Sequence, residues 1–359
     1  MARRGFVGRT GCAAARLNPW AYAGRVPLAS PTGALPPFTP AALVTEASVD
    51  SWLTVALLVA AGLYLYGTHR LRARGDHWPV LRTVFFVGCG LGIVAIATLS
   101  GLGAYDDTLF SAHMVQHMLL SMIAPIFLAL GAPVTLALRT LPVRYRRWLM
   151  ALLHSRFARV MTFPIVSFGL FIASPYALYF SGWYEATLNN RVLHELLHAH
   201  FLLVGCLFFW PLIGLDPLPG RAPYPLRALM MFLSMPFHAV LGLTIMQSTA
   251  LLAADHYREL DLSWVDPLKD QEVGGGLLWA SGDIVSLLML GALIAQWMRA
   301  SEREAVREDR RLDRLDAEEE RDASRLAHDS GPPSTGSGPP EADDVDGVDR
   351  PAAEERSAR

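Results

Sequence analysis

The chain has 359 residues, of which 52% are hydrophobic and 18% charged, with a formal net charge of −2. The net charge decides little; its distribution does, because residues 52–298 are very apolar while the last 60 are mostly charged, Pro, Gly and Ser. Cys12, Cys89 and Cys206 form neither a C-x-x-C pair nor an even set, so a disulfide framework or zinc ribbon is not indicated. No nucleic-acid partner is expected.

Residues 1–48 are rich in Arg, Pro and Ala and read as a disordered N-terminal tail, or as the product of a start codon placed too early. Arg3-Arg4 lacks the apolar core of a signal peptide behind it. Residues 49–298 form the membrane domain. Its apolar runs lie near 51–67, 81–101, 109–130, 160–180, 192–214, 228–253 and 276–298. The expected fold is therefore an all-α, polytopic membrane helix bundle of seven transmembrane helices.

Arginines in the intervening loops set the orientation. Arg70, Arg72 and Arg74 follow the first run. Arg139, Arg144, Arg146, Arg147, Arg156 and Arg159 follow the third, Arg221 and Arg227 the fifth, and Arg299 to Arg311 the last. The other loops are acidic or mixed, with Asp106-Asp107, Glu185 and Asp255 to Glu272. The N-terminus is expected outside and the C-terminus in the cytoplasm. Residues 299–325 read as a charged cytoplasmic helical extension, with opposite charges three and four residues apart, and 326–359 as a disordered C-terminal tail.

Two histidine pairs stand near the outer start of separate runs, His113/His117 and His194/His198. Four residues turn a helix by roughly 40°, so each pair shares a face. Ionisable groups inside a membrane are costly and usually functional. At 1.5 Å per residue, His113 and His117 lie roughly 6 and 12 Å below the outer boundary, with His194 and His198 at matching depth. Asp283 is expected about 10 Å in on the last run, Gln247 in the outer third, and His238 deeper, near mid-membrane. Met114, Met118 and Met122 make a stripe beside the first pair. Imidazole with thioether suits Cu(I), although methionine stripes also serve as packing. Imidazole binds haem iron as well and relays protons, so ligation does not follow from spacing alone. His200 faces elsewhere on its helix, His256 lies in an outer loop as a possible entrance, and His69, His77 and His154 sit solvated among cytoplasmic arginines.

HMVQHMLLSMIAPIFLALGAPVTLALR (113–139) resembles a signature stretch of the CtaG-type cytochrome c oxidase assembly factors, and HELLHAHFLLVGCLFFWPLIGLDP (194–217) resembles their second signature. Pro236, His238 and Gly242 match the next helix, and DQEVGGGLLWASGDI (270–284) resembles the family's Gly-Gly…Trp segment. The charged continuation QWMRASEREAVREDRR is similar to actinobacterial members. Ile126 and Ser281 stand where the pattern has proline. The resemblance covers roughly 50–311. It implies a multi-pass protein of the bacterial plasma membrane, in contact with the lipid bilayer and with apo-cytochrome c oxidase subunits. It also implies a non-enzymatic role in delivering or inserting copper.

On this reading His113, His117, His194, His198 and His238 are the metal ligands. Asp283 and Gln247 orient imidazoles, and Met114 and Met118 are accessory. The competing reading is a haem-binding redox protein using the same histidines. A transporter lacks support from internal repeats. HELLH (194–198) also fits the zinc-protease pattern by letters, with Glu195 as base, but lacks an evident third ligand. Without that chemistry, Glu195 near the boundary is read as solvated or paired with a cation.

Overall fold

The computed structural model describes residues 25–27, 35–218 and 222–329. The protein is an all-α polytopic helix bundle. Seven helices organise it: α1 (Ser51–Ala73), α2 (Val80–Tyr105), α3 (Phe110–Thr140), α4 (Pro164–Tyr179), α5 (Arg191–Ile213), α6 (Tyr224–Met246) and α7 (Pro267–Asp329). Among the described residues six of these are long and apolar enough to cross a membrane; α4, of 16 residues, is shorter. At 1.5 Å per residue α4 reaches about 24 Å, less than the ~30 Å hydrocarbon core. A two-stranded antiparallel pair, Arg25–Pro27 with Ser48–Asp50, precedes α1.

α3 and α5 form the centre. About half of the apolar stretch of each is buried inside the protein, against 17% for α1 and α2. The outer face of α1 leaves Leu58, Val59 and Leu63 exposed, as suits contact with acyl chains. The main core is aromatic and methionine-rich, with Phe110, Met114, Met118 and Met122 of α3 meeting Phe201, Phe208 and Phe209 of α5 and Met231 of α6. Unbranched methionines fill the irregular gaps between the rings.

The central pair approaches closely for a local reason. Pro125 supplies no N–H, so the turn before it widens into a π-helical segment, Leu119–Ile123. Facing that turn is Gly205 of α5, where an added Cβ would overlap the Ser121 carbonyl and touch the Pro125 ring. Small residues permit such contact between membrane helices. Four residues from Ser121 and seven from Gly205 are His117 and His198, so this contact sets the spacing of the two histidine faces.

At the histidine end the helix starts are tied together. Asn190 caps α5 by accepting from the Val192 and Leu193 amides at 3.0 and 3.2 Å. Arg191 pairs with Asp50, just before α1, at 2.7 Å. Asp270 of α7 accepts from the amide and hydroxyl of Ser111 on α3. At the opposite end α3 is offset at Ala132, which has φ 48°, and Asp216 accepts from the Val134 and Thr135 amides of its final turns at 3.3 and 2.7 Å.

Several boundaries differ from the sequence reading. α6 stops at Met246 rather than near 253, because Ser248 folds onto the Ala250 backbone. α7 starts at Pro267 rather than near 276. Within the expected tail, Tyr105 donates to the Pro36 carbonyl at 2.7 Å, and Leu35 and Ala42 pack around Tyr105 and Leu109. Most of 1–34 and the tail beyond 329 lie outside the described residues. Residues 299–329 form a unit of their own, helical and mostly exposed, with Arg311–Glu308 paired at 3.3 Å.

Candidate metal centre

Three helices deliver the site. α2 is broken at Ser100, whose backbone is extended and whose hydroxyl caps Leu102 at 3.1 Å. The short turn that follows ends at Asp106, which is fully buried. α3 brings His113, Gln116 and His117, and α5 brings His194 and His198, all buried. The two pairs therefore converge inside the bundle.

Asp106 Oδ2 is the hub. Gln116 Nε2 donates to it at 2.9 Å and to the Ala97 carbonyl at 3.0 Å, which fixes both the carboxylate and the amide. His194 Nε2 lies 3.2 Å from the same oxygen and His198 Nε2 3.5 Å from it. Single ligand atoms of Asp106, His194 and His198 all fall within 4.8 Å of one another. The His113 and His117 rings stand 3.9 Å apart, His113 is 5.7 Å from His194, and His117 is 6.4 Å from His198. His117 Nδ1 meets the Tyr179 hydroxyl at 2.8 Å, while Tyr184 packs 5.0 Å from His113.

Among the described residues five imidazole nitrogens here are buried with no hydrogen-bond partner: both of His113, both of His198 and Nε2 of His117. Each buried polar atom left unpaired costs about 1–3 kcal/mol. Lone pairs from neutral imidazoles and one carboxylate fit a cation, and Asp106 supplies charge to balance it.

The other expected site residues lie elsewhere. His238 is buried below the cluster; its Nδ1 meets the Ser234 carbonyl at 2.9 Å. Because α7 begins earlier than expected, Asp283 lies a further two turns down and neighbours His238 rather than the two pairs. Its residue before, Gly282, faces the His238 ring. Gln247 is exposed at the end of α6, so it orients no imidazole. Gln271 of α7 is buried instead and accepts from Leu252 N at 2.7 Å. Met114 packs towards Gly274 of α7, whereas Met118 borders a small cavity beside His117.

His200 is exposed and bonds Ser174 at 2.9 Å, away from the cluster as its helical position requires. His256 meets the Asp107 carbonyl at 2.7 Å, so it fastens its loop beside the site. Next to it, Tyr257 shares a 2.6 Å hydrogen bond with Tyr184, and burial raises its phenol above the usual range. Glu195 is partly buried, with Oε2 3.6 Å from His198 Nδ1.

Asp106, Gln116 and Tyr179 are the contributors that the reading of the sequence missed. Gln116 carries a usable signal, a polar side chain inside an apolar run beside His117. Asp106 carries a weaker one, since an acidic pair between two spans reads as a solvated loop.

No solved structure matches the chain. An uncharacterized protein of Mycobacterium bovis (strain ATCC BAA-935 / AF2122/97) is 40% identical over 295 residues, covering 80% of this chain and 44% of that protein. One of Mycobacterium tuberculosis (strain CDC 1551 / Oshkosh) gives the same figures, and one of Mycobacterium leprae (strain TN) is 38% identical over 282 residues, 76% of this chain and 43% of its own. The chain thus spans less than half the length of these relatives. The family model described as cytochrome c oxidase caa3 assembly factor (Caa3_CtaG) matches residues 62–300, a stretch that takes in Asp106, both histidine pairs, His238 and Asp283. With most of the membrane bundle and every residue of the buried cluster inside that match, the chain belongs to the cytochrome c oxidase caa3 assembly factor family.

Proposed function

We propose that this chain is a non-enzymatic assembly factor that holds copper near the outer face of the plasma membrane and passes it to an apo-cytochrome c oxidase subunit. The observation that carries the reading is the set of buried imidazole nitrogens around Asp106 that make no hydrogen bond among the described residues. His113, His117, His194 and His198 would supply the donors, and Asp106 would offset the charge. Gln116 holds Asp106, and Tyr179 orients His117. Bound copper would supply a soft cation for transfer, and a donor set larger than one ion needs favours exchange of ligands. Loop arginines support the outward placement of the cluster.

Haem fits less well. The cavity beside His117 is about 20 Å³, far too small for a macrocycle, and the Asp106 carboxylate stands against two of the rings. A zinc hydrolase would need Glu195 directed at a water-filled cleft, yet its carboxylate turns to His198 within the bundle.

Replacing His117 or His198 by Ala should leave the protein in the membrane and lower active cytochrome c oxidase in its host. Added copper should restore part of that activity, because mass action replaces a carrier. Replacing His69 or His154, both exposed, should change nothing. Normal oxidase activity in the double His117→Ala, His198→Ala variant would remove the proposal.

A further inference from the structure

A small cavity of about 20 Å³ lies beneath the cluster, lined by His117, Met118, Ser121, Tyr179 and His238 among apolar residues. A volume of this size holds one water molecule or one ion. Among the four clustered histidines His117 is the one that also borders it.

The chemistry of the lining is specific. His238 Nδ1 faces a backbone carbonyl, which only accepts, so Nδ1 carries the proton and Nε2 keeps its lone pair. His117 Nε2 is buried with no hydrogen-bond partner among the described residues. With Nε2 as a ligand, His117 Nδ1–H donates to the Tyr179 oxygen, a pairing that fixes the tautomer. Met118 adds a thioether. The cavity wall thus offers two neutral imidazoles and one soft sulfur, and no carboxylate lines it.

That donor set selects by softness, since imidazole and thioether together are ligands for Cu(I). Asp283, the carboxylate that neighbours His238, is not among the lining residues.

We propose that His117, Met118 and His238 form a second, three-coordinate Cu(I) site, and that His117 is the shared ligand through which an ion moves between the Asp106 cluster and the interior of the bundle. Movement is ligand exchange on an ion that stays Cu(I), so no electron or co-reactant is needed. The inference rests on the copper reading above and extends it from holding an ion to conducting it inward. Gly282 contributes by lacking a side chain, since a Cβ there would stand 3.1 Å from the His238 ring and shift it.

The test is anaerobic titration of the purified full chain in lipid nanodiscs with Cu(I), followed by X-ray absorption at the copper edge. Wild type should bind two ions, with sulfur in the average shell. His238→Ala should bind one. Met118→Leu, a substitution close in volume, should lose the sulfur signal and weaken the second ion about tenfold while keeping the first. A wild type that binds one sulfur-free ion, lost on His198→Ala, would overturn the second site and leave the proposed function standing, with water as the occupant of the cavity. Two ions retained in His238→Ala would also overturn it. A wild type that binds no Cu(I) would remove both proposals.

Discussion

Asp106 Oδ2 and His194 Nε2 stand 3.2 Å apart across 88 positions of sequence. The contact joins the broken end of α2 to the first turn of α5, and Gln116 of α3 bonds the same oxygen. One carboxylate thereby fixes three helices around the imidazoles. Asp106→Asn keeps the shape and removes the charge. It should lower Cu(I) affinity about 10- to 100-fold, the usual range for groups that support metal ligands. Competition with a chromogenic chelator measures this. An unchanged affinity would show that the charge plays no part.

Gly205 is a point of close contact between α5 and α3. Gly205→Leu should force the helices apart at Ser121, cost about 1–3 kcal/mol or more, and separate the histidine faces that sit above. Thermal unfolding in detergent and Cu(I) stoichiometry should both fall. Gly169 of α4 has nothing within 4 Å of an added Cβ, so Gly169→Ala should leave both unchanged. Equal behaviour of the two variants would refute the close-contact account.

The loop arginines fix the topology prediction. Reporter fusions after Arg147 and Glu308 should read cytoplasmic, and one after Glu185 external. α4 is the helix on which the odd number of crossings depends, since its 16 residues are the shortest. A cytoplasmic reading after Glu185 would mean that α4 does not cross, and would move the histidine cluster relative to the membrane faces.

Asp216 caps the last turns of α3 from the opposite end of the bundle. Burial raises its carboxyl above the ordinary value of 3.8, against the lowering effect of the Thr135 hydroxyl and amide. A raised folded value favours the protonated form on folding. Its contribution to stability is complete below 3.8 and is lost as the pH rises through the raised value. Asp216→Asn keeps an acceptor for Thr135 without a charge, so its stability should vary less with pH across that window. Asp216→Ala leaves the amides unpaired and should cost about 1–2 kcal/mol. An Asn variant no more stable than the Ala variant would show that the cap contributes nothing.

The sequence by itself determined the apolar spans, the charge bias of the loops and the sharing of a face by each histidine pair. These follow from local period and composition: four residues on a helix return to one face wherever the helix lies. His200 was legible for the same reason. Residues that reach the cluster through a break or an end were not. Asp106 enters because α2 is broken at Ser100, and Asp283 lies below the cluster because α7 starts at Pro267. Gln247 was placed by depth, but α6 had already ended. Depth counted along a run depends on where the helix starts, and caps such as Asp270 on Ser111 decide that from other helices. The meeting of the two histidine pairs likewise needed tertiary structure, because it depends on how closely Gly205 lets α5 approach Ser121.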